Sequence, residues 1–339
     1  MLSLSRDIGV DLGTATVLVY IKGKGIVLHE PSVVALDSQT NGVLAVGQEA
    51  SMMLGRTPGN IKAIRPLKEG VIADFDVTEL MLKHFLGKVC RNIFAKPRVM
   101  VCVPAGITSV EQRAVLTAVK RSGAREVFLI EEPRAAALGA GLEIFQPVGS
   151  MVIDIGGGTC DVAIMSLGDI VQSASNRIGG DRFDEYIVRY VRDKYNIMIG
   201  ERTAEEIKVK VASVHPQGRK EKMDVRGRDL VTGLPKSLPI TSQEAGEALA
   251  DPVNSIVRTI IQVLEATPPE LHSDIMEKGI VLSGGGSLLH GLDVYLSHRL
   301  GSPVVIAENP ISCVVNGTGR ALELLDYIKG TLINDKMIS

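Results

Sequence analysis

Apolar residues at the start of the chain fall into short runs separated by turn residues. Strands are predicted over 8–12 and 17–21, around a Gly13-Thr14-Ala15 turn, and a third over 26–29 after Lys22-Gly23-Lys24-Gly25. From 34 to 77 glycines and prolines interrupt every run, which reads as a small inserted subdomain. Helical spacing returns over 77–88, with Leu82, Phe85 and Leu86 on one face. The run over 99–103, closed by Pro104, predicts a buried strand. Ser109 reads as the cap of a helix through Arg121, with Glu111 in its first turn. A strand over 127–130 then runs into Glu131-Glu132-Pro133, which opens an Ala-rich helix ending at Gly141.

The pattern then restarts. IGVDLGTATVLVY at 8–20 and VIDIGGGTCDVAI at 152–164 share an apolar strand, an Asp, a glycine turn and a second strand. Asp11 and Asp154 lie 143 positions apart, close to half the chain, so two related α/β domains are expected. The second half carries its own insertion. Helices are predicted over 181–195 and 203–213, a polar stretch over 215–240 and a long helix over 242–264. A strand over 280–282 runs into Ser283-Gly284-Gly285-Gly286-Ser287, read as opening a helix. Another strand covers 304–307, and a last helix is expected to begin near Gly317-Thr318-Gly319. No linker separates the halves, so they should pack tightly and hinge.

Composition narrows the function classes. The 339 residues, 45% hydrophobic and 22% charged, suit about two globular domains and exclude a disordered scaffold. Thirty-seven basic against 39 acidic residues leave a net charge of −2, which argues against a nucleic-acid partner. Aromatics at 4%, without Trp, exclude a base- or sugar-stacking surface. Cys90, Cys102, Cys160 and Cys313 lack C-x-x-C spacing and read as reduced cytoplasmic thiols. No apolar leader and no membrane-length run are expected.

Three glycine turns follow three strands: DLGTAT at 11–16, DIGGGTCD at 154–161 and SGGGSLL at 283–289. Glycine lets backbone approach a ligand and leaves N–H groups for phosphate oxygens. An Asp beside phosphates suits hydrated Mg²⁺, which keeps its waters and takes one or two carboxylates. The third turn lacks an acid and suits a nucleoside. Any one of these turns has a plainer explanation as a tight hairpin; three together point to a nucleotide. There is no G-x-x-x-x-G-K-[ST] and no strand–GxGxxG–helix, which removes the P-loop and dinucleotide folds.

GVDLGTA, GKGIVLHEPSVVA, IKAIRPLKEGVIADF, LIEEPRAAALGAG, VIDIGGGTCDVAI, IGERTAEEIK, RGRDLVTGLPK, TPPELHSDI and LSGGGSLLHGLD run along nearly the whole chain. On these stretches the sequence resembles the MreB-type bacterial actins (MreB, Mbl, MreBH) of the actin/Hsp70/sugar-kinase superfamily. The resemblance implies an actin-like α/β ATPase fold of two related domains, each with an inserted subdomain, and nucleotide in the cleft. It divides the chain into subdomain IA (1–33, 78–146, 318–339), IB (34–77), IIA (147–182, 245–317) and IIB (183–244).

The resemblance also implies roles. Gly13, Thr14, Ala15 and Thr16 would form the first phosphate turn. Gly156, Gly157, Gly158 and Thr159 would form the second. Gly284, Gly285, Gly286 and Ser287 would form the adenosine turn, with Glu205 and Lys208 on ribose and adenine. Asp11 and Asp154 would hold Mg²⁺ through waters. Glu132, with Thr159, would orient the attacking water on ATP. A solvated Glu131-Glu132 pair opening a helix is the plainer alternative for those acids. Two positions depart from the family pattern: Thr16 replaces an Asn, and Cys160 replaces a Thr.

Between Leu80 and Val110 lie five basic residues and no acid, with Ile93-Phe94 among them. They read as core packing of a loop or as a membrane contact, an apolar tip among cations. MreB-type actins carry an apolar loop here, and Met1, Leu2 and Leu4 offer a second contact. The expected protein is an ATP-binding actin with slow hydrolysis, forming homopolymer filaments on the inner face of the cytoplasmic membrane. Rod shape would follow through membrane-bound shape and wall-synthesis partners of the RodZ, MreC and MreD type. A small-molecule kinase and a chaperone-type ATPase of the same superfamily are the rivals.

Overall fold

The computed structural model describes residues 7–90, 96–215, 218–328 and 332–334. Strands β1 (Asp7–Leu12), β2 (Thr16–Ile21) and β3 (Gly25–Pro31) form an antiparallel meander. An inserted sheet follows, from β4 (Val34–Asp37), β5 (Val43–Val46) and, after the short α1 (Gln48–Ser51), β6 (Ile61–Ile64). The small hairpin of β7 (Leu67–Lys68) and β8 (Val71–Ile72) leads into α2 (Phe75–Val89). Strand β9 (Arg98–Val103), α3 (Ser109–Arg121), β10 (Glu126–Glu131) and α4 (Glu132–Ala140) complete the first half.

The second half opens with the meander β11 (Ser150–Ile155), β12 (Cys160–Ser166) and β13 (Asp169–Asn176). Its insertion holds α5 (Gly180–Tyr195), β14 (Ile197–Met198), α6 (Glu201–Lys210), β15 (Lys222–Asp229), β16 (Pro235–Thr241), α7 (Ser242–Glu265) and α8 (Pro269–Lys278). Then come β17 (Ile280–Ser283), a 3₁₀ turn, α9 (Leu292–Leu300), β18 (Val304–Ile306), α10 (Cys313–Glu323) and α11 (Leu325–Ile328). The last strand, β19 (Ile333–Asn334), returns to pair with β10.

The repeat in the sequence is a repeat of topology. The strand order β10-β9-β1-β2-β3 in one half matches β18-β17-β11-β12-β13 in the other. In both, the meander is antiparallel and the remaining two strands join parallel. Asp11 and Asp154 therefore end equivalent strands, β1 and β11.

The central strands are largely apolar on both faces, as strands covered twice must be, with Asp11 and Asp154 at the ends of β1 and β11 as exceptions. Val99 and Val101 of β9 pack outward on Phe85 of α2 and Leu116 of α3, while Met100 and Cys102 face the other half. In β11, Ile153 and Ile155 pack with Phe183 and Ile256, while Val152 faces the first half. Between the halves lie α4 and α10, which follow the equivalent strands β10 and β18. They cross with almost no separation. A Cβ on Gly317 would sit 1.7 Å from the Ala135 carbonyl oxygen, and one on Gly139 1.8 Å from that of Cys313. Glycine is required at both points because backbone fills the space.

Local expectations need four corrections. The cap of α3 is Thr108: its hydroxyl accepts from the Glu111 N–H, and the Glu111 carboxylate accepts from the Thr108 N–H. Gly317-Thr318-Gly319 lie inside α10, which begins earlier at Cys313, and glycine there serves close packing instead of opening the helix. The polar stretch over 215–240 holds the β15–β16 hairpin, whose exposed alternate positions hid its strand pattern. Finally, Gly285–Leu288 forms a single 3₁₀ turn, and α9 begins only at Leu292.

Candidate nucleotide site

Strand periodicity decides which face carries the acids. Asp11 shares the inner face of β1 with Gly9, which packs on Thr318 of α10, because Ile8, Val10 and Leu12 fill the outer core. Asp154 shares the inner face of β11 with Val152. Register adds a third acid: Asp161 of β12 stands directly opposite Asp154, and Ser283 of β17 flanks Asp154 on the other side. Glu132, the first residue of α4, enters from the helix layer and is buried.

The two turns are built alike. The Gly13 N–H donates to the Thr16 carbonyl (3.1 Å), and the Gly156 N–H donates to the Thr159 carbonyl (2.9 Å). Thr16 is thus the counterpart of Thr159. The turns meet across the halves. A Cβ on Gly157 would lie 2.7 Å from Ala15 Cβ, and one on Gly158 2.4 Å from Thr14 Oγ1. Any side chain there would force the halves apart. The second turn is further set by α5, whose Gly180 and Asp181 N–H groups donate to the Gly156 and Gly157 carbonyls, both at 2.9 Å. With those carbonyls engaged, the N–H side of the turn is left for a ligand.

The third turn rests on the end of β11. Gly284 has φ +80°, and a Cβ there would lie 2.2 Å from the Ile155 carbonyl oxygen. Ser287 is fully buried and donates its hydroxyl to the Gly284 carbonyl (2.6 Å), so it shapes the turn from inside. On α6, Glu205 is exposed. Lys208 Nζ donates to Asp184 Oδ2 (2.8 Å) and to the Gly180 carbonyl (3.0 Å). That ties α6 to the helix behind the second turn.

Three buried carboxyls, Glu132, Asp154 and Asp161, with the half-buried Asp11 beside them, are costly unless something compensates. Burial pushes Asp11 up to about 7, with the charge of Asp154 adding to it. Burial pushes Asp154 to about 7 as well; Ser283's hydrogen bond opposes the shift and Asp161 adds to it. Asp161 rises to about 6 by burial, against hydrogen bonds from the Ala105 N–H (2.8 Å), Ser175 and Thr159. Glu132 stands well above the usual carboxylate range through burial and the charges of Asp161, Asp11 and Asp154. Asp154 Oδ1 and Asp161 Oδ2 are buried without a hydrogen-bond partner. Among the described residues, no three His, Cys, Asp or Glu side chains converge to ligate a metal directly. Unpartnered oxygens without a converged ligand set suit a hydrated divalent cation held through its waters.

The structure separates the two adjacent glutamates. Glu131 pairs with Arg134 (3.4 Å), which also holds Asp169 (2.5 Å), whereas Glu132 belongs to the acid group. Cys160 is fully buried in β12. Sequence reasoning missed Asp161, although DIGGGTCD contains it. Pairing Asp154 across the 156–159 turn would have placed it opposite. It also missed the Glu69-Gly70 turn, whose Gly70 N–H donates to Thr14 Oγ1 (2.9 Å). Ile93, Phe94, Met1, Leu2 and Leu4 lie outside the described residues. Nearby, Lys88 pairs with Glu30 (2.7 Å) and Arg98 with Asp7 (2.7 Å), so the stretch is less cationic in space than in sequence.

Two duplicated α/β halves, two facing Asp–Gly turns and two crossing helices define an actin-like protein. Comparison with known proteins gives the family. The MreB/Mbl protein family model matches residues 5–330. Cell shape-determining protein Mbl of Bacillus cereus is 58% identical over 325 residues, covering 96% of this chain and 98% of the relative. Cell shape-determining protein MreB of Escherichia coli is 54% identical over 338 residues, covering 98% and 97%. The crystal structure of MreB 5 of Spiroplasma citri, bound to AMPPNP, superposes with a TM-score of 0.91 at 40% identity, covering 96% of this chain and 98% of that one. The chain belongs to the MreB/Mbl family and is a bacterial actin with a role in cell shape.

Proposed function

We propose that this bacterial actin binds ATP with Mg²⁺ in the cleft, hydrolyses it slowly and couples hydrolysis to filament assembly on the membrane. The observation that carries the reading is the meeting of the two Asp–Gly turns across the halves, beside the buried Glu132. The binding of AMPPNP, and of ADP, by the Spiroplasma relative supports it.

Asp11 and Asp154, with Asp154 Oδ1 unpartnered, would hold the hydrated cation, which neutralises phosphate charge when bound. The N–H groups of Gly13–Thr16 and Gly156–Thr159 would cradle phosphate oxygens from opposite sides. Gly284–Ser287, with Glu205 and Lys208, would take the nucleoside. A water oriented by Glu132 and Thr159 would attack the terminal phosphorus. As an ionised carboxylate Glu132 could accept a proton from that water, and the positive charge of a bound cation would favour its ionised form against the burial that raises it. Because nucleotide touches both halves, its state biases the hinge at α4 and α10, and the hinge biases subunit contacts. The four-part division IA, IB, IIA and IIB belongs to this reading, supported by the two duplicated sheets and their inserted sheets. The membrane's inner face, contacted through Ile93 and Phe94, and shape proteins of the RodZ, MreC and MreD type complete it.

Light scattering at rising protein concentration tests the proposal. Filaments are expected above a threshold, at lower concentration with Mg-ATP than with Mg-ADP, and with phosphate released after assembly. A chain that stays monomeric with Mg-ATP, with and without anionic liposomes, would overturn it.

A further inference from the structure

The β7–β8 hairpin ends in a two-residue turn, Glu69-Gly70, and both residues have positive φ, +51° and +76°. A two-residue hairpin turn requires positive φ at both central residues, which glycine adopts freely and glutamate at some cost. The tip packs on the two glycine turns. Besides its bond to Thr14, Gly70 lies so close to the second turn that a Cβ on it would stand 2.7 Å from Thr159 Cγ2. A Cβ on Gly158 would reach Gly70 N at 2.9 Å and Glu69 Cα at 3.0 Å. The hairpin tip therefore sits over Thr14, Gly158 and Thr159 together.

What holds the tip down belongs to the other half. The Glu69 carboxylate pairs with Arg177 (3.3 Å) and Arg182 (3.5 Å), between β13 and the start of α5. Arg65, just before the hairpin, pairs with Asp181 of the same helix (3.4 Å). Ordinary surface pairs contribute little. Here the pairs span the cleft and fasten the hairpin tip onto the Thr14 hydroxyl of the first phosphate turn and against the Thr159 methyl of the second. We infer that Glu69 is a positioning residue for hydrolysis: its bridge to Arg177 and Arg182 presses the Glu69-Gly70 turn onto Thr14 and Thr159 when the halves close. Alignment of the attacking water is thereby tied to closure. The inference rests on the ATPase reading above.

Single-turnover cleavage at saturating Mg-ATP tests it, with nucleotide affinity and light scattering recorded alongside. Glu69→Gln should slow cleavage at least about tenfold and shift the ATP Kd less than about threefold. The double variant Arg177→Gln/Arg182→Gln should lose the same factor, and adding Glu69→Gln to it should cost nothing further, because one coupling has been removed twice. Raising KCl from about 50 to about 500 mM should slow the wild type more than Glu69→Gln, since the variant has already lost the Glu69 bridge that salt screens. Wild-type cleavage by Glu69→Gln, or losses that multiply in the triple variant, would overturn the inference. Glu132→Gln is the control that separates the two readings. If it abolishes cleavage while Glu69→Gln does not, this inference alone falls. If the wild type itself does not cleave ATP, the ATPase reading falls and takes this one with it.

Discussion

Raising pH from 5.5 to 7 should destabilise the ligand-free protein, opposite to the usual behaviour of acid-rich folds. Asp11 and Asp154 hold protons in the folded chain up to about pH 7, against an ordinary value of 3.8. Between those values the folded state binds protons that the unfolded state has lost. Stability is then fully present below about pH 4 and is lost as pH rises through about 7. One such group lowers stability by about 1.4 kcal/mol per pH unit, so the pair contributes up to about 2.7, and Asp161, Glu132 and Asp184, also held above their ordinary range, act in the same direction. About 1 kcal/mol per unit is expected, because water entering between the halves lets the acids ionise at less cost. Acids held below their ordinary range, such as Asp229 and Glu244 at about 2, act only below about pH 4.5 and leave this window alone. Urea denaturation in EDTA at pH 5.5, 6.25 and 7 measures the slope. Asp154→Asn should make it shallower. Mg-ATP should reverse it, since the cation binds the ionised carboxylates. A stability in EDTA that is flat or rises over this range would refute the account of a strained acid cluster.

Glu132→Gln should lower ATP cleavage by about 10²–10⁴-fold while leaving the ATP Kd within about threefold; equal losses in both would remove its proposed role. Gly317→Ala should destabilise by about 3 kcal/mol in chemical denaturation, because its Cβ would stand 1.7 Å from the Ala135 carbonyl oxygen. Wild-type stability would mean that α4 and α10 separate freely. Replacing Ile93 and Phe94 with Ser should remove about 3–6 kcal/mol of apolar burial and abolish co-sedimentation with anionic liposomes. ATP cleavage in solution should persist. Continued pelleting would shift the membrane contact to Met1, Leu2 and Leu4.

What could be read from the sequence alone was local. The Asp–Gly turns at 11–16 and 154–159 declare themselves because a tight turn is set by residues three apart, and their recurrence exposed the duplicated halves. The glutamate before Pro133 stood out for the same reason: helix starts have local chemistry. Convergence was not local. Asp161 joins Asp154 through the pairing of β12 with β11, and Glu132 reaches them only because α4 lies between two sheets. The Gly70 turn meets Thr14 across 56 positions, and Glu69 meets Arg177 across 108. Glycines that looked like helix boundaries at 317–319 serve a helix crossing, a requirement imposed by backbone from another part of the chain. Sequence determines which residues carry the chemistry. Strand register and the α4–α10 crossing determine which of them meet, and the crossing and the β11–β17 pairing depend on packing between segments more than a hundred residues apart.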